Sequence, residues 1–247
     1  MKHLETRRTI RQYSDREVSE ELLTRLMTAA SRTQTMGNLQ LYSVVVTRSQ
    51  DMKLRLAPAH FNQPMVTAAP VVLTVCADFH RTTRWCEERQ ARPGYGNFLS
   101  FQNAAIDALL YTQTLCNLMD EEGLGSCYLG TTVYMPQTII DVLQLPQLVM
   151  PVATLTVGWP AEEPALTDRL PVESFVHAET YHDYSAEDIA RFYTPKEQLP
   201  ENRHFCAINH KQTLAQIFTD IRYTQKDNEA MSEGLFEALR HQGFLKE

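Results

Sequence analysis

The chain has 247 residues, 43% of them apolar, and a formal charge of −7. That length suits one large domain or two small ones. The acidic balance excludes nonspecific nucleic-acid binding as the main task, and no apolar run is long enough to span a bilayer. Met1 to Ser14 is polar and charged, without the apolar stretch of a secretory signal. The five cysteines are scattered without Cys-x-x-Cys spacing, which fits reduced thiols and a cytosolic protein rather than a zinc or disulfide framework.

Arg7-Arg8-Thr9-Ile10-Arg11-Gln12-Tyr13-Ser14 puts three arginines into eight residues. Read alone it is a basic surface loop. In an extended segment Arg7, Thr9 and Arg11 share one side and suit a small anion such as phosphate. Ser19 followed by two acids predicts an N-cap, with Leu22, Leu23, Leu26, Met27 and Ala30 forming one helical face. Thr33 to Asn38 is a turn-rich loop and Leu39 to Val46 a strand. Asp51 to Leu56 reads as a short helix, His60 to Pro64 as a loop, and Val71 to Ala77 as a fully apolar strand. Arg81 to Asn97 reads as a helix and then a loop, whose tip serves either as a lid or as a plain surface insertion. Ser100 to Asp120 is the longest helix, with one stripe through Phe101, Ala104, Ala108, Leu115 and Met119 and a second through Ile106, Leu109, Leu110 and Leu118. Such a helix is buried within its domain or at a subunit interface, and Asn103, Asp107 and Gln113 on it would need partners if buried. Gly123 ends it. Ser126 to Leu129 is strand-like, Pro136 opens a helix through Leu143, and Val152 to Trp159 reads as a central strand. Leu170 to Tyr184 is expected to be extended. Ser185 to Asp188 reads as a cap before a helix at Ile189 to Tyr193, and helices are expected at Lys211 to Tyr223 and Asn228 to Gln242. The sum is an α+β fold.

The motifs of serine hydrolases, zinc proteases, nucleotide phosphate loops and dinucleotide folds are absent, and the eight histidines have no metal spacing. A catalytic role therefore points to a bound cofactor that carries the chemistry.

Four segments, in order, resemble the nitroreductase family of FMN-dependent oxidoreductases, closest to its NADPH-preferring nitroreductases and flavin reductases. They are Arg7-Arg8-Thr9-Ile10-Arg11 with Tyr13-Ser14-Asp15; Gln63 ahead of Val66 and Ala68-Ala69-Pro70; Glu122-Gly123-Leu124-Gly125-Ser126-Cys127-Tyr128-Leu129-Gly130; and Val157-Gly158-Trp159-Pro160 with Arg169-Leu170-Pro171. The resemblance covers residues 3–184. It implies a mainly antiparallel central sheet flanked by helices, in an intertwined homodimer with two FMN sites. Residues 1–184 would be the FMN-binding core and 185–247 a helical extension.

The resemblance also implies roles. Arg7, Arg8 and Thr9 would hold the FMN phosphate end and Arg11 the N1/C2 carbonyl edge of the flavin. Thr35, Met36 and Gly37 would come from the partner subunit, and Gln63 would bond the ribityl or pyrimidine part. Tyr128, Leu129, Gly130 and Thr131 would line the other face, and Arg169 would be a second phosphate arginine. NADPH or NADH would be the electron donor. Nitroaromatics, quinones, flavins or chromate would be the acceptors. Thr9 stands where close members have serine, and Thr167 where a lysine is expected. A loop reading the NADPH 2′-phosphate has no clear match; Arg203 and Lys211 are either stand-ins or ordinary exposed residues. Other reactions on the same fold, such as reductive dehalogenation, or flavin binding without turnover, are the alternatives.

Overall fold

The computed structural model describes residues 2–246; Met1 and Glu247, the outer ends of the two expected domains, lie outside the described residues. The chain divides into two compact units, residues 1–165 with 231–247, and residues 166–230.

The first unit opens with a helical turn, α1 (Lys2–Glu5), then α2 (Glu20–Ala30), β1 (Tyr42–Thr47), α3 (Gln50–Leu56), α4 (Pro64–Ala68) and β2 (Val71–Asp78). It continues with α5 (His80–Glu88), α6 (Phe98–Glu121), β3 (Gly125–Leu129), α7 (Pro136–Leu143) and β4 (Val149–Gly158). The strands form one antiparallel sheet in the order β1-β2-β4-β3. β2 and β4 are interior and buried along their whole length, which explains their continuous apolar sequences. Pro151 cannot donate to a ladder, and the register slips by one residue there, with Val75 opposite Ala153 but Cys76 opposite Pro151.

α6 lies on one face of the sheet. Its N-cap is Asn97, whose side chain accepts from Ser100 N. Ala104, Ala108, Tyr111, Leu115 and Met119 pack with Leu73, Val75, Leu155 and Val157 in the main core. Burying each such leucine or valine contributes about 1.5–3 kcal/mol. Of the helix's second stripe, Ile106, Leu109 and Leu110 are exposed to about the same degree (40%, 43% and 41%), whereas Leu118 packs against the core. On the sheet's other face, Ala57, Met65 and Val66 pack with Cys127 and Leu129. Leu56, Ala59 and Ile139 pack together in a smaller cluster.

Most predicted elements are present. Ser19 caps α2 by accepting from Leu22 N. Gly123 takes a left-handed φ of 82° just past α6. The expected strand at Leu39 begins only at Tyr42, because Leu39 and Gln40 belong to a turn.

The second unit holds α8 (Ala186–Glu197), α9 (Pro200–Ile208) and α10 (Leu214–Ile217), and the first part of α11 (Gln225–His241). Ser185 and Asp188 form the expected capping box. The helix expected over Lys211 to Tyr223 is instead a four-residue α segment capped by Thr213 and followed by a π-helical turn, Phe218–Arg222. Leu170 to Tyr184 is irregular, with one 3-10 turn at Val172–Ser174. Among the described residues no helix is long and apolar enough to cross a membrane.

Candidate functional site

The arginine-rich segment folds along the edge formed by β3 and the end of β4. Ile10 N donates to Ser126 O (3.1 Å) and Ser14 N to Trp159 O (2.9 Å), and Tyr13 bridges to Pro160. The glycines of the sequence motifs make this approach possible. A Cβ on Gly125 would stand 2.6 Å from Ile10, and one on Gly158 would stand 2.7 Å from the Tyr13 ring and from Pro70. Tyr13 donates its hydroxyl to Ile10 O (2.7 Å) and meets Thr156 Oγ1 at 2.7 Å. Burial raises its pKa above the ordinary phenol value, so the phenol stays neutral.

The three arginines divide. Arg8 is held by the protein: its Nε donates to Pro164 O (2.6 Å), its Nη1 to Thr6 O (3.1 Å), and its Nη2 lies 3.7 Å from Glu163. Arg7 and Arg11 both act on Cys127. Burial pushes that thiol's pKa up, and the positive charges of Arg11 and Arg7 oppose the rise. The Arg11 backbone is pinned by Glu162, whose Oε1 accepts from Arg11 N (2.6 Å) and Gln12 N (3.0 Å). A cleft of about 360 Å³ opens beside the segment, lined in part by Arg7, Arg8, Ile10, Leu124 and Glu162. Thr9 is half-buried.

β3 continues the site. Tyr128 points outward at 42% exposure, and its phenol pKa is pushed up to about 12 by partial burial. Leu129 turns inward, so that only its backbone faces the site. A Cβ on Gly130 would meet no atom within 4 Å, which leaves open space at the strand's end. Thr131 Oγ1 lies 2.8 Å from His60 Nδ1. Gln63 follows a turn in which Phe61 and Asn62 have left-handed φ angles of 53° and 54°, and its N–H donates to His60 O (3.1 Å).

Thr35, Met36 and Gly37 lie in the turn that precedes β1, which Asp107 of α6 ties down. Asp107, 1% exposed, accepts from Thr35 Oγ1 (2.5 Å), Met36 N (2.8 Å) and Leu41 N (3.1 Å). Gly37 takes φ 55°, which suits glycine. Arg169 belongs to the second unit, where its guanidinium donates to Thr167 Oγ1 (2.7 Å) and Asp168 O (2.8 Å).

Arg7 and Arg11 are both near enough to oppose the rise in the Cys127 pKa, and His60 joins Gln63 to Thr131. Asp107 was legible in sequence only as a residue in need of partners. Glu162 and His60 gave no sequence signal. Among the described residues no cluster of histidine, cysteine, aspartate or glutamate can hold a metal, and all five cysteines are unpaired. An edge that carries Arg7 and Arg11, with an outward tyrosine and an open glycine on the adjoining strand, suits a planar aromatic ligand with an anionic end.

Comparison with known proteins points the same way. Residues 4–159 match the nitroreductase family. The chain is 32% identical over 183 residues to the FMN reductase [NAD(P)H] of Bacillus subtilis (strain 168), covering 73% of this chain and 74% of that protein. It is 29% identical over 194 residues to the oxygen-insensitive NADPH nitroreductase of Salmonella typhimurium, covering 78% of each. A crystal structure from Bacteroides fragilis NCTC 9343 superposes with a TM-score of 0.99 at 58% identity over all of both chains. The structure of B. megaterium NfrA2 superposes with a TM-score of 0.85 at 26% identity, covering all of this chain and 98% of the other.

Proposed function

Because the chain belongs to the nitroreductase family, we propose that it is an FMN-dependent NAD(P)H oxidoreductase, with residues 1–184 as the cofactor-binding core. Bound FMN supplies two-electron transfer, in ping-pong order, from NADPH or NADH to nitroaromatic, quinone, flavin or chromate acceptors. The observation that carries the reading is the Arg7–Arg11 segment, held along β3 by Ile10 N on Ser126 O and by Glu162 on the Arg11 and Gln12 backbone, together with the outward Tyr128 and the open space at Gly130.

The protein's own groups do the rest. Arg7 and Thr9 hold the phosphate end. Arg8 serves that end indirectly, since its fork is spent on Pro164, Thr6 and Glu163 and so keeps the segment in place. Arg11 would face the pyrimidine edge, where its positive charge would favour the extra negative charge of the reduced state. Gln63, Tyr128, Gly130 and Thr131 line the remaining walls, and Leu129 contributes backbone only.

The working form is a homodimer. The exposed Ile106-Leu109-Leu110 stripe on α6 supports this, because apolar helix faces of that kind are covered in obligate interfaces. Thr35 and Met36, held by Asp107 on the same helix, and Gly37 next to them would then serve the partner's flavin. Five unpaired thiols support a cytoplasmic setting.

The test is Arg11→Ala. The midpoint potential of the bound flavin should fall by about 30–60 mV, the two-electron equivalent of losing one partly screened charge contact. The thermal midpoint should change little, because Arg11 is exposed. An unchanged potential would remove the role given to Arg11.

A further inference from the structure

His60 closes the 3-10 turn after α3, and its side chain is completely buried. Its Nδ1 lies 2.8 Å from Thr131 Oγ1, and its Nε2 has no hydrogen-bond partner in the protein. These two facts decide the tautomer. A neutral imidazole has one donor and one acceptor nitrogen. A proton on Nε2 would bury an unpaired N–H, the costlier orphan. A proton on Nδ1 leaves only a lone pair unpaired. Nδ1–H therefore donates to Thr131 Oγ1. Separately, burial pushes the imidazole pKa down to about 4, so the neutral form holds at neutral pH.

Two consequences follow. Thr131 Oγ1 accepts from His60, so its own proton points away from the ring and is available to an acceptor elsewhere. Thr131 directly follows Gly130, beside which a side chain would meet no atom within 4 Å. His60 also governs the neighbouring turn, because its carbonyl accepts from Gln63 N (3.1 Å). That turn places two successive non-glycine residues, Phe61 and Asn62, in the left-handed region. Such strain persists only where surrounding contacts hold it; here Asn62 N donates to Ala57 O (2.9 Å) and Phe61 N to Pro58 O (3.1 Å).

We propose that His60 is a positioning residue for the flavin: through Nδ1–H it turns the Thr131 hydroxyl into a hydrogen-bond donor for a ring-nitrogen or carbonyl acceptor of the cofactor, and through its carbonyl it sets the Gln63 turn. Two ligand-facing segments are thereby held as one body. The inference rests on the reading of Gln63 and Thr131 as flavin contacts.

Two measurements test it. Nitrogen-15 NMR of the FMN-free protein should show a protonated, pyrrole-type Nδ1 and an unprotonated Nε2 at His60. FMN titration and flavin potentiometry should be run on His60→Leu, His60→Asn, Thr131→Val and, as a control, Arg7→Ala. His60→Leu and Thr131→Val should each weaken FMN binding about five-fold, the equivalent of one neutral hydrogen bond, and shift the flavin potential. The double variant should be no weaker than either single one. His60→Asn, which keeps an N–H near the Nδ1 position, should restore most of the affinity, whereas a merely structural role would not distinguish it from leucine. If His60→Leu does not fold, Thr131→Val and His60→Asn still decide the matter. A proton on Nε2, or wild-type affinity and potential in Thr131→Val, overturns the proposal. Weak FMN binding in Arg7→Ala alongside wild-type behaviour of the His60 and Thr131 variants would overturn this inference alone. Failure of the wild type to take up FMN would overturn the functional reading, and this inference with it.

Discussion

Asp107 offers a direct test of how α6 builds the loop that precedes β1. Its carboxylate accepts from Thr35 Oγ1, Met36 N and Leu41 N, all within one seven-residue stretch. Asp107→Ala removes all three at once. A hydrogen bond to a charged group contributes about 1.5–3 kcal/mol. The three do not simply add, because Met36 is exposed and Thr35 half-buried, so water can replace the carboxylate at both. Leu41 is buried, and its N–H loses its partner outright. The expected net loss is about 3–5 kcal/mol. Asp107→Asn keeps one acceptor oxygen but turns an NH2 towards the donors, and should cost about 2 kcal/mol. Urea unfolding at fixed protomer concentration reads both values, with the midpoint moving and the slope unchanged. A loss under about 0.5 kcal/mol in Asp107→Ala, the size of an ordinary surface change, would refute the view that this carboxylate organises the loop.

Other substitutions and conditions test separate parts of the account. Gly125→Ala places a methyl 2.6 Å from Ile10; overpacking of this kind costs about 1–3 kcal/mol, and the melting temperature and FMN affinity should fall together, because Arg11 lies one residue beyond Ile10. Stability should also fall in acid through His60. Its folded pKa is lowered to about 4, so between about pH 6.5 and pH 4 the unfolded chain binds more protons, and up to about 3 kcal/mol is lost across that window with no contribution above it. Urea midpoints across that range should drop less in His60→Asn than in the wild type, and equal drops would contradict the assignment. Leu109→Arg puts a charge into the exposed α6 stripe and should convert the dimer to monomer in size-exclusion chromatography with light scattering; an unchanged mass would place the subunit interface elsewhere.

The core was legible because its signals are local. β2 and β4 are apolar runs without breakers, α6 carries a helical stripe across 24 residues, and Ser19 and the Ser185–Asp188 pair announce helix starts within a single turn. The second unit was less legible. α9 begins at Pro200 and buries none of its residues, so it has no apolar face to read. The expected helix beyond Lys211 breaks into α and π turns, which apolar spacing alone does not separate. At the candidate site the arginines and glycines could be read as motifs, since Gly125 and Gly158 are glycines for the plain reason that Ile10 and Tyr13 lie on them. Their supports could not. Glu162 meets Arg11 across 151 residues and His60 meets Thr131 across 71, and no short-range pattern encodes such pairs.

The central claim is that the Arg7–Arg11 segment and the Tyr128–Thr131 turn form an FMN site that works with NAD(P)H. The most direct measurement is the visible spectrum of the FMN-loaded protein under anaerobic conditions, before and after NADPH is added. The account predicts a bound-flavin spectrum that bleaches on addition and recovers with a quinone or nitroaromatic acceptor. A protein that takes up no FMN, or one whose flavin spectrum persists unchanged with both NADPH and NADH, would contradict it.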